Sequence, residues 1–285
     1  MEYNRMKQEK EWVIEAEHLS YTYDGNEKPA LDDLDLKIRR GHKVAFMGGN
    51  GSGKSTFFLC LNGIRRPDKG RVLIDGTPIA YTRKGLLDVR RRVGIVFQEP
   101  DDQLFSASVY QEISFGILNL GADEETARKK VEQVIRELGI CPFQDRPAHG
   151  LSGGQKKLVA IADILVMEPE VMILDEPAAS LDPKHTKIVR EIVEKLTMKG
   201  ITVLMATHDM DYAFGWADEI VLMYEGRVLK KGTPLEVCAD REALEQTNLE
   251  VPAVLRLYEK MRQKGMASQK GDPPRTMEEL ERRFL

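Results

Sequence analysis

The chain has 285 residues, of which 42% are hydrophobic and 31% are charged, a composition typical of a globular protein with a sizeable core. Its net charge of −4 argues against a protein whose main role is to hold nucleic acid, because such domains usually present a basic face. No apolar run in the sequence approaches the ~20 residues that a membrane-spanning helix needs.

The N-terminal part of the sequence is predicted to be rich in β-structure. Residues 1–10 lack the apolar segment of a secretion signal, so we expect no export signal and a cytoplasmic location. Residues 11–23 and 34–47 have the pattern of strands, and a turn at Asp24-Gly25-Asn26 separates them. Within the second of these segments, residues 43–47 form a short apolar strand.

The middle of the chain alternates between helices and strands. A helix from about Lys54 to Asn62 is followed by a hairpin over residues 70–79. Residues 86–167 are predicted to be mostly helical. Beyond them we expect strands at 171–174, 201–206 and 219–224, and a helix at 184–199. This alternation is typical of a mostly parallel α/β sheet, with residues 86–167 inserted as a helical subdomain.

After Gly232 the pattern is helical only. Thr233-Pro234-Leu235-Glu236 contains the residue types of an N-cap, a proline at the first helical position and a reciprocal glutamate. A further helix is expected at about 251–264, and a short charged helix from Thr276.

The sequence therefore divides into a main domain at residues 12–232 and an appended helical region at 233–285. Its three cysteines, Cys60, Cys141 and Cys238, stand far apart and have no paired spacing. Such a pattern is typical of free thiols in a reduced compartment rather than of metal ligands or disulfides.

A glycine-rich loop stands between the strand at 43–47 and the helix that follows it. It satisfies the pattern G-x-x-x-x-G-K-[ST], which binds nucleotide phosphates when it joins a strand to a helix. Backbone N–H groups wrap the phosphate oxygens, Lys54 reaches the β- and γ-phosphates, and the Ser55 hydroxyl suits Mg²⁺. The predicted phosphate-binding residues are Gly48, Gly49, Asn50, Gly51, Ser52, Gly53, Lys54, Ser55 and Thr56.

Two acidic residues follow the apolar strand at 171–174. Asp175 closes this strand, and we expect it beside the glycine loop as a direct or outer partner of Mg²⁺. Glu176 is predicted to orient and polarise the attacking water as a general base. An acidic pair before Pro177 can also be a simple helix cap, but the glycine loop upstream favours the catalytic interpretation.

A second anion-binding sequence, Leu151-Ser152-Gly153-Gly154-Gln155, opens a predicted helix whose body is residues 156–167. Its serine and two glycines present N–H groups at the positive end of the helix dipole. The pentapeptide alone is a weak signal that also fits a flexible loop, but its place shortly before the acidic strand strengthens it. The predicted anion-binding residues are Ser152, Gly153, Gly154 and Gln155.

The three motifs, in this order, resemble those of the ATP-binding subunit of an ABC transporter over about residues 12–232. The resemblance implies a P-loop NTPase fold with a mostly parallel sheet, an antiparallel N-terminal β-part and an inserted helical subdomain. It also implies that two chains close head to tail around two ATP molecules, so that the signature sequence at 151–155 of one chain caps the γ-phosphate held by the other. The implied cofactors are ATP and Mg²⁺.

The same resemblance implies roles for four further residues. Tyr23 matches the aromatic residue that stacks on adenine. Gln98, at the end of a strand expected at residues 94–97, matches the glutamine that contacts Mg²⁺ and the attacking water. Asp182 belongs to a loop that crosses the dimer interface. His208 matches the histidine that holds the γ-phosphate and orients Glu176. Taken singly, each of these four residues also fits an ordinary structural role, such as a core tyrosine or a helix cap.

A subfamily resemblance lies at residues 98–105, followed by Val109 and Phe115-Gly116. This segment is similar to that of the energy-coupling-factor importers, in which it receives coupling helices of a membrane subunit. The resemblance implies uptake of a vitamin or of a transition-metal ion such as cobalt or nickel. The implied partners are an integral membrane coupling subunit and a substrate-binding membrane subunit, with the ATPase on the cytoplasmic face of the membrane and no nucleic acid bound.

The sequence leaves alternatives open. The functional pair is either a homodimer or a heterodimer with a related ATPase subunit, and we expect residues 233–285 to add to the dimer contact. A soluble ABC ATPase of repair or translation is the alternative to a transport motor. Gln98 and Leu151 are too close for the long coiled coil of repair proteins, and one glycine loop stands where translation factors usually have two. Glu176 and His208 argue against a regulator without turnover.

Overall fold

Strands and helices alternate along most of the chain, whose computed structural model describes residues 11–267 and 271–284. Residues 1–10, in which we expect no export signal, lie outside the described residues. The strands, in chain order, are β1 (Trp12–Tyr21), β2 (Leu31–Arg39), β3 (Lys43–Met47), β4 (Lys69–Ile74), β5 (Thr77–Pro78), β6 (Val93–Val96), β7 (Val171–Asp175), β8 (Thr202–Ala206), β9 (Glu219–Tyr224) and β10 (Arg227–Gly232). The helices are α1 (Lys54–Leu61), α2 (Arg83–Arg92), α3 (Val109–Asn119), α4 (Glu124–Glu137), α5 (Gly153–Leu165), α6 (Pro183–Met198), α7 (Met210–Trp216), α8 (Pro234–Ala239), α9 (Arg241–Gln246), α10 (Ala253–Gln263) and α11 (Met277–Phe284).

Two sheets organise the strands. The larger sheet has the order β10–β9–β3–β8–β7–β6, in which β9, β3, β8, β7 and β6 run parallel and β10 is antiparallel at one edge. The smaller sheet, of order β2–β1–β4–β5, is antiparallel throughout. The mostly parallel α/β sheet and the antiparallel N-terminal part expected from the sequence are therefore both present.

The predicted strand at residues 34–47 is wrong in one respect, because it is two strands. β2 ends at Arg39 in the smaller sheet and β3 begins at Lys43 in the larger sheet. Gly41 lies between them with a backbone φ of 73°, in the left-handed region that glycine adopts without strain. Buried residues alternate along β2 but are continuous in β3, as expected for a half-exposed antiparallel strand and a strand covered on both faces.

The segment expected to be helical at residues 86–167 contains one strand of the larger sheet. β6 has only four residues, all buried, and pairs with β7 in parallel register. It overlaps the strand that we expect at residues 94–97, directly before Gln98. The helices α3, α4 and α5 follow β6, and Ile113, Val131 and Val159 of these helices are fully buried in one hydrophobic cluster.

Side chains of the larger sheet alternate between two hydrophobic clusters, one on each face. Met172 and Leu174 of β7 belong to the cluster that contains the helices α3 to α7. Val171 and Ile173 belong to the cluster on the other face, which contains α1 and the smaller sheet. Burial on both faces fixes the ends of the parallel strands, and the loops at those ends carry the candidate site.

The helices after Gly232 share the core of the main domain. Val237, Leu244 and Leu280 belong to the same buried cluster as the inner face of α5 and α6. The expected capping box at the start of α8 is present, because the side chains of Thr233 and Glu236 each accept a hydrogen bond from the other residue's backbone N–H. Among the described residues, no helix combines the length and the apolar character needed to cross a bilayer.

Candidate nucleotide site

Four of the predicted motifs follow neighbouring parallel strands. The glycine loop follows β3, His208 follows β8, Asp175 ends β7 and Gln98 follows β6. Because these strands are parallel, their carboxyl ends meet at one edge of the sheet, where ligands of open α/β sheets bind. The fold thus gathers residues from four distant parts of the sequence along this carboxyl edge.

The glycine loop passes close to the backbone of other segments. Gly48 and Gly53 have backbone φ angles of 144° and 103°, which side-chain-bearing residues rarely adopt. A Cβ atom on Gly48 would lie 2.2 Å from the carbonyl oxygen of Met223, and one on Gly53 would lie 2.6 Å from that of Ala30. Both the backbone angle and the available space therefore require glycine at these two positions.

Packing beneath the loop fixes the helix that follows it. Phe57 and Phe58 of α1 lie with their ring centroids 5.6 and 5.1 Å from that of Phe46 on β3. All three rings are fully buried, and each buried aromatic side chain contributes about 1.5–3 kcal/mol to stability. Because α1 begins where the loop ends, the positive end of its dipole is directed at the loop. No acidic side chain in its first turn offsets that partial charge.

Lys54 extends its ammonium group into the loop. Its Nζ donates hydrogen bonds to the carbonyl oxygens of Gly48 at 2.8 Å and Gly49 at 3.1 Å. Burial lowers the pKa of Lys54, and the negative charges of Glu176 and Asp175 oppose this effect. Both carboxylates therefore lie close enough to Lys54 to raise its pKa, as expected if the glycine loop and the acidic pair belong to one site.

The other loop residues differ in exposure. Asn50, Gly51 and Ser55 are exposed, whereas Ser52 is buried and its N–H donates to the carbonyl oxygen of Gly49 at 3.2 Å. Ser55 lies in the first turn of α1. This exposure leaves its hydroxyl accessible to a bound ion, and its binding of Mg²⁺ stays a prediction.

Tyr23 lies beside α1. Its hydroxyl is 3.1 Å from that of Thr56, and its ring meets that of Tyr21 edge to face with the centroids 5.0 Å apart. The guanidinium of Arg65 is 5.4 Å from the Tyr23 ring centroid. Tyr23 thus lies next to the phosphate-binding helix, and its contact with adenine stays a prediction.

The acidic pair is joined to the strand that carries His208. Glu176 has a backbone φ of 45°, and its N–H donates to the carbonyl oxygen of Ala206 at 3.1 Å. His208 Nε2 lies 2.7 Å from Glu176 Oε1. Glu176 is half-buried and Asp175 is buried, so the carboxylate next to His208 is the more accessible of the two. This geometry fits the predicted roles of a base and the residue that orients it.

The signature sequence begins helix α5. The Ser152 hydroxyl accepts a hydrogen bond from the N–H of Gln155, whose side chain accepts one from the N–H of Ser152. Gly153 is exposed, and an added Cβ there would meet no atom within 4 Å. A Cβ on Gly154 would instead lie 2.2 Å from the ring of His185. One side of the signature sequence is therefore open and the other is packed.

His185 links the signature sequence to Asp182. Its ring Nδ1 lies 2.6 Å from Asp182 Oδ2, and its backbone N–H donates to Asp182 Oδ1 at 2.9 Å. Asp182 thus caps α6, and these hydrogen bonds hold the pKa of its carboxyl below the usual value. Within this chain it has the helix-cap role that its sequence context also suggests, and its role across a dimer interface stays a prediction.

Known proteins share this sequence over most of its length. Residues 31–179 match the model of the ABC transporter family. The energy-coupling factor transporter ATP-binding protein EcfA of Methanocaldococcus jannaschii is 45% identical over 254 residues, which cover 89% of this chain and 90% of that protein. This chain belongs to the ABC transporter family. Its relatives identify it as an ATP-binding subunit of the energy-coupling-factor type, and as an ATPase.

Solved structures of ABC proteins are similar to the whole fold. The structure of cbiO1 from Clostridium perfringens, a part of the ABC transporter complex cbiONQ, matches with a TM-score of 0.73 at 45% identity and covers 87% of this chain and 99% of that one. A dimeric bacterial ABC transporter cassette matches with a TM-score of 0.70 at 27% identity, over 78% of this chain and 98% of that one. The predicted P-loop NTPase fold is confirmed.

Sequence reasoning about this ABC ATPase missed two residues near the site. Lys157 is 1% exposed, and its Nζ donates to the carbonyl oxygen of Gln98 at 2.7 Å. His185 covers Gly154. Neither residue belongs to a contiguous motif, because each contact depends on packing between distant segments. The one available signal for Lys157 is a charged residue within the otherwise apolar run at 157–162.

An exposed aromatic pair lies near the segment that follows Gln98. Phe105 is 68% exposed and Phe115 is 49% exposed, and their ring centroids are 5.0 Å apart, edge to face. Phe115 also lines a groove of about 670 Å³ together with Ile64, Leu87 and other residues, and we call this groove the aromatic groove. Large exposed apolar patches are uncommon on monomeric soluble proteins and often mark binding surfaces.

Proposed function

We propose that this ATPase powers uptake of a vitamin or of a transition-metal ion such as cobalt or nickel through membrane partners, from the cytoplasmic face of the membrane. One combination of features carries the proposal. A site with Lys54 in a phosphate loop and His208 2.7 Å from Glu176 lies in the same chain as an exposed aromatic groove. The relatives named as an energy-coupling factor ATP-binding protein and as a part of cbiONQ support this reading.

The donors at the carboxyl edge fit Mg²⁺. Ser55 offers a hydroxyl, Asp175 a carboxylate and Gln98 an amide oxygen, and Mg²⁺ prefers oxygen ligands. When bound, Mg²⁺ would neutralise charge on the β- and γ-phosphate oxygens of ATP. Lys54 would complement the same phosphates, because its ammonium already lies among the carbonyl groups of the loop.

Glu176 supplies the base for hydrolysis in this proposal. Its Oε1 lies 2.7 Å from His208 Nε2, and the carboxylate orients an attacking water and takes its proton. His208 holds the carboxylate in one orientation and also faces the γ-phosphate. The backbone hydrogen bond from Glu176 to Ala206 keeps the two side chains in register, since it joins the ends of β7 and β8.

Two chains would form the complete site. Gly153 is exposed and has open space around it at the N-terminus of the 13-residue helix α5, so a phosphate held by a second subunit could approach these N–H groups. The similarity to a dimeric ABC cassette supports this arrangement. A homodimer and a heterodimer with a related ATPase subunit both satisfy this geometry.

The aromatic groove is our proposed contact for the membrane coupling subunit. Its lining combines apolar side chains, such as Leu87 and Phe115, with Arg83 and Arg90. A short amphipathic helix with an apolar face and acidic ends matches that surface, because an apolar face buries well in a groove of this kind. The substrate-binding membrane subunit would not need to touch this chain.

Co-purification from membranes tests the proposal. The tagged full chain is expressed with its natural partners, and the double variant Phe105→Ser/Phe115→Ser should lose the integral membrane subunit that the wild-type chain retains. Met198→Ser is the matched control, because Met198 is 77% exposed and lies on α6, away from the groove. Equal melting temperatures of the three purified chains would exclude unfolding.

Two results would contradict the proposal. If the wild-type chain retains no membrane protein, a soluble ABC ATPase becomes the better description. If the complex in proteoliposomes hydrolyses ATP but accumulates neither labelled cobalt, nickel nor a vitamin, the proposed cargo is wrong.

A further inference from the structure

Lys157 connects the signature helix to the residues that follow β6. Its Nζ donates one hydrogen bond to the carbonyl oxygen of Phe97 at 3.0 Å and one to that of Gln98 at 2.7 Å. Lys157 lies in the second turn of α5, five residues after Ser152. A single side chain thus joins the backbone beside the predicted water-orienting glutamine to the helix that begins with the signature sequence.

Two further side chains connect the same pair of segments. Lys156 Nζ lies 2.6 Å from Asp101 Oδ1. Gln103 Nε2 donates to the carbonyl oxygen of Ala160 on α5 at 2.9 Å. Residues 97–106, which we call the glutamine segment, are therefore tied to α5 at its beginning and near its middle.

Burial makes the contact of Lys157 the costly one. The residue is 1% exposed, and within the described part of the chain no carboxylate forms a salt bridge with it. A buried ammonium that has only carbonyl partners loses much of its hydration energy. That burial lowers the pKa of Lys157 to about 8. An apolar side chain at this buried position would carry no such cost.

The ammonium group of Lys157 makes hydrogen bonds that an apolar side chain of the same size could not make. An ammonium donates several hydrogen bonds at once, and a side chain without a donor would leave two peptide carbonyls of the glutamine segment unpaired at this point. The Gln98 side chain is exposed, so its orientation depends on the peptide that carries it.

We propose that Lys157 is a positioning residue that fixes the peptide of Gln98 to the signature helix, so that the two move as one unit. This inference rests on the proposed role of Gln98 in hydrolysis. A membrane partner that displaces the glutamine segment would then displace the signature sequence as well. In the same way, ATP in a second subunit that displaces the signature sequence would also displace Gln98.

A double-mutant cycle with Lys157→Met and Gln98→Ala tests the inference in the full chain with Mg²⁺ and ATP. Lys157→Met keeps the length of the side chain and removes its donors. Because a misplaced reacting group can cost up to about 100-fold in rate, we expect each single variant to lower kcat by about 10- to 100-fold. KM for ATP should change little, since Lys157 does not reach the glycine loop. The double variant should be no slower than Gln98→Ala alone.

Lys156→Met is the matched control, because it removes a neighbouring lysine that has an exposed partner, Asp101, 68% exposed. It should lower kcat far less than Lys157→Met. If Lys157→Met does not fold, the same cycle is run with Lys157→Gln, whose shorter side chain keeps an amide donor and should retain part of the activity. A melting curve for each variant separates loss of fold from loss of positioning.

The outcomes distinguish the inference from its foundation. If Gln98→Ala leaves kcat unchanged, the proposed role of Gln98 is wrong and the inference fails with it. The other outcome is that Gln98→Ala lowers kcat and that adding Lys157→Met to it lowers kcat again by the full factor seen for Lys157→Met alone. Gln98 then keeps its role and only the inference is overturned, because a merely structural lysine would have the same effect with and without Gln98.

Discussion

The two ends of the larger sheet use charge differently. At the carboxyl edge, Lys54 donates hydrogen bonds to backbone carbonyls, and Glu176 Oε1 lies 2.7 Å from His208 Nε2. At the amino edge, two arginines and two acids form a closed set of ion pairs. Its members are Arg40 before β3, Arg92 before β6, Glu170 before β7 and Asp75 at the turn between β4 and β5.

The difference fits the catalytic role that we propose for the carboxyl edge and a structural role for the amino edge. Charges that must act on a substrate have to remain available for it, so they keep weak or exchangeable partners. Charges that hold the fold together can be matched fully, since nothing else has to bind them. Glu170 illustrates the second case, because Arg92 first, and Arg40 with it, lower the pKa of its carboxyl to about 2.

Glu176→Gln is the largest expected effect at the carboxyl edge. Loss of one positioned group at the transition state commonly costs about 10²–10³ in rate, so we expect hydrolysis to fall by that factor while ATP binding is kept. With ATP present, size-exclusion chromatography should detect a trapped dimer. The melting temperature without nucleotide should stay close to that of the wild type. Turnover equal to that of the wild type would remove Glu176 as the base.

Glu170→Gln is the corresponding change at the amino edge. The Glu170 side chain is 37% exposed, so after allowing for solvent screening we expect a loss of about 1 kcal/mol in the free energy of unfolding. The kcat of the folded protein should stay near that of the wild type. Urea titration and steady-state hydrolysis measure the two quantities. A variant that loses rate rather than stability would break the distinction between the edges.

The smallest expected effect is the pH dependence of the difference in stability between the wild type and Glu170→Gln. The pKa of Glu170 is lowered from an ordinary value of 4.5 to about 2, so its ionised form stabilises the fold fully above about pH 5. This contribution to stability is lost as the pH falls from about 5 towards 2. The gap in melting temperature between the wild type and Glu170→Gln should therefore shrink between pH 5 and the lowest pH at which the chain stays folded. A constant gap would show that Glu170 acts through packing.

Contiguous chemistry made much of the site predictable. The glycine loop, the acidic pair and the signature sequence each place their functional groups within a few residues, so their spacing alone indicates phosphate binding. The strand that precedes Asp175 was also recognisable, because a short, wholly apolar run is typical of a parallel strand covered on both faces.

Long-range packing explains what the sequence could not reveal. The sequence indicates a short apolar strand at residues 43–47, but not that β2 and β3 belong to different sheets. The contact of Lys157 with Gln98 joins residues 59 apart, and that of His185 with Gly154 depends on how α5 and α6 meet. Periodicity within one segment carries no information on such pairs.

The position of Glu170 has a mechanical consequence. The helices α3 to α5 leave the larger sheet after β6 at the carboxyl edge and rejoin it at Glu170, directly before β7 at the amino edge. Arg40, shortly before β3, and Arg92, directly before β6, both form ion pairs with Glu170 at this point of return. These ion pairs restrict movement at the point of return, so any rotation of the helices α3 to α5 against the sheet would be smallest beside Glu170.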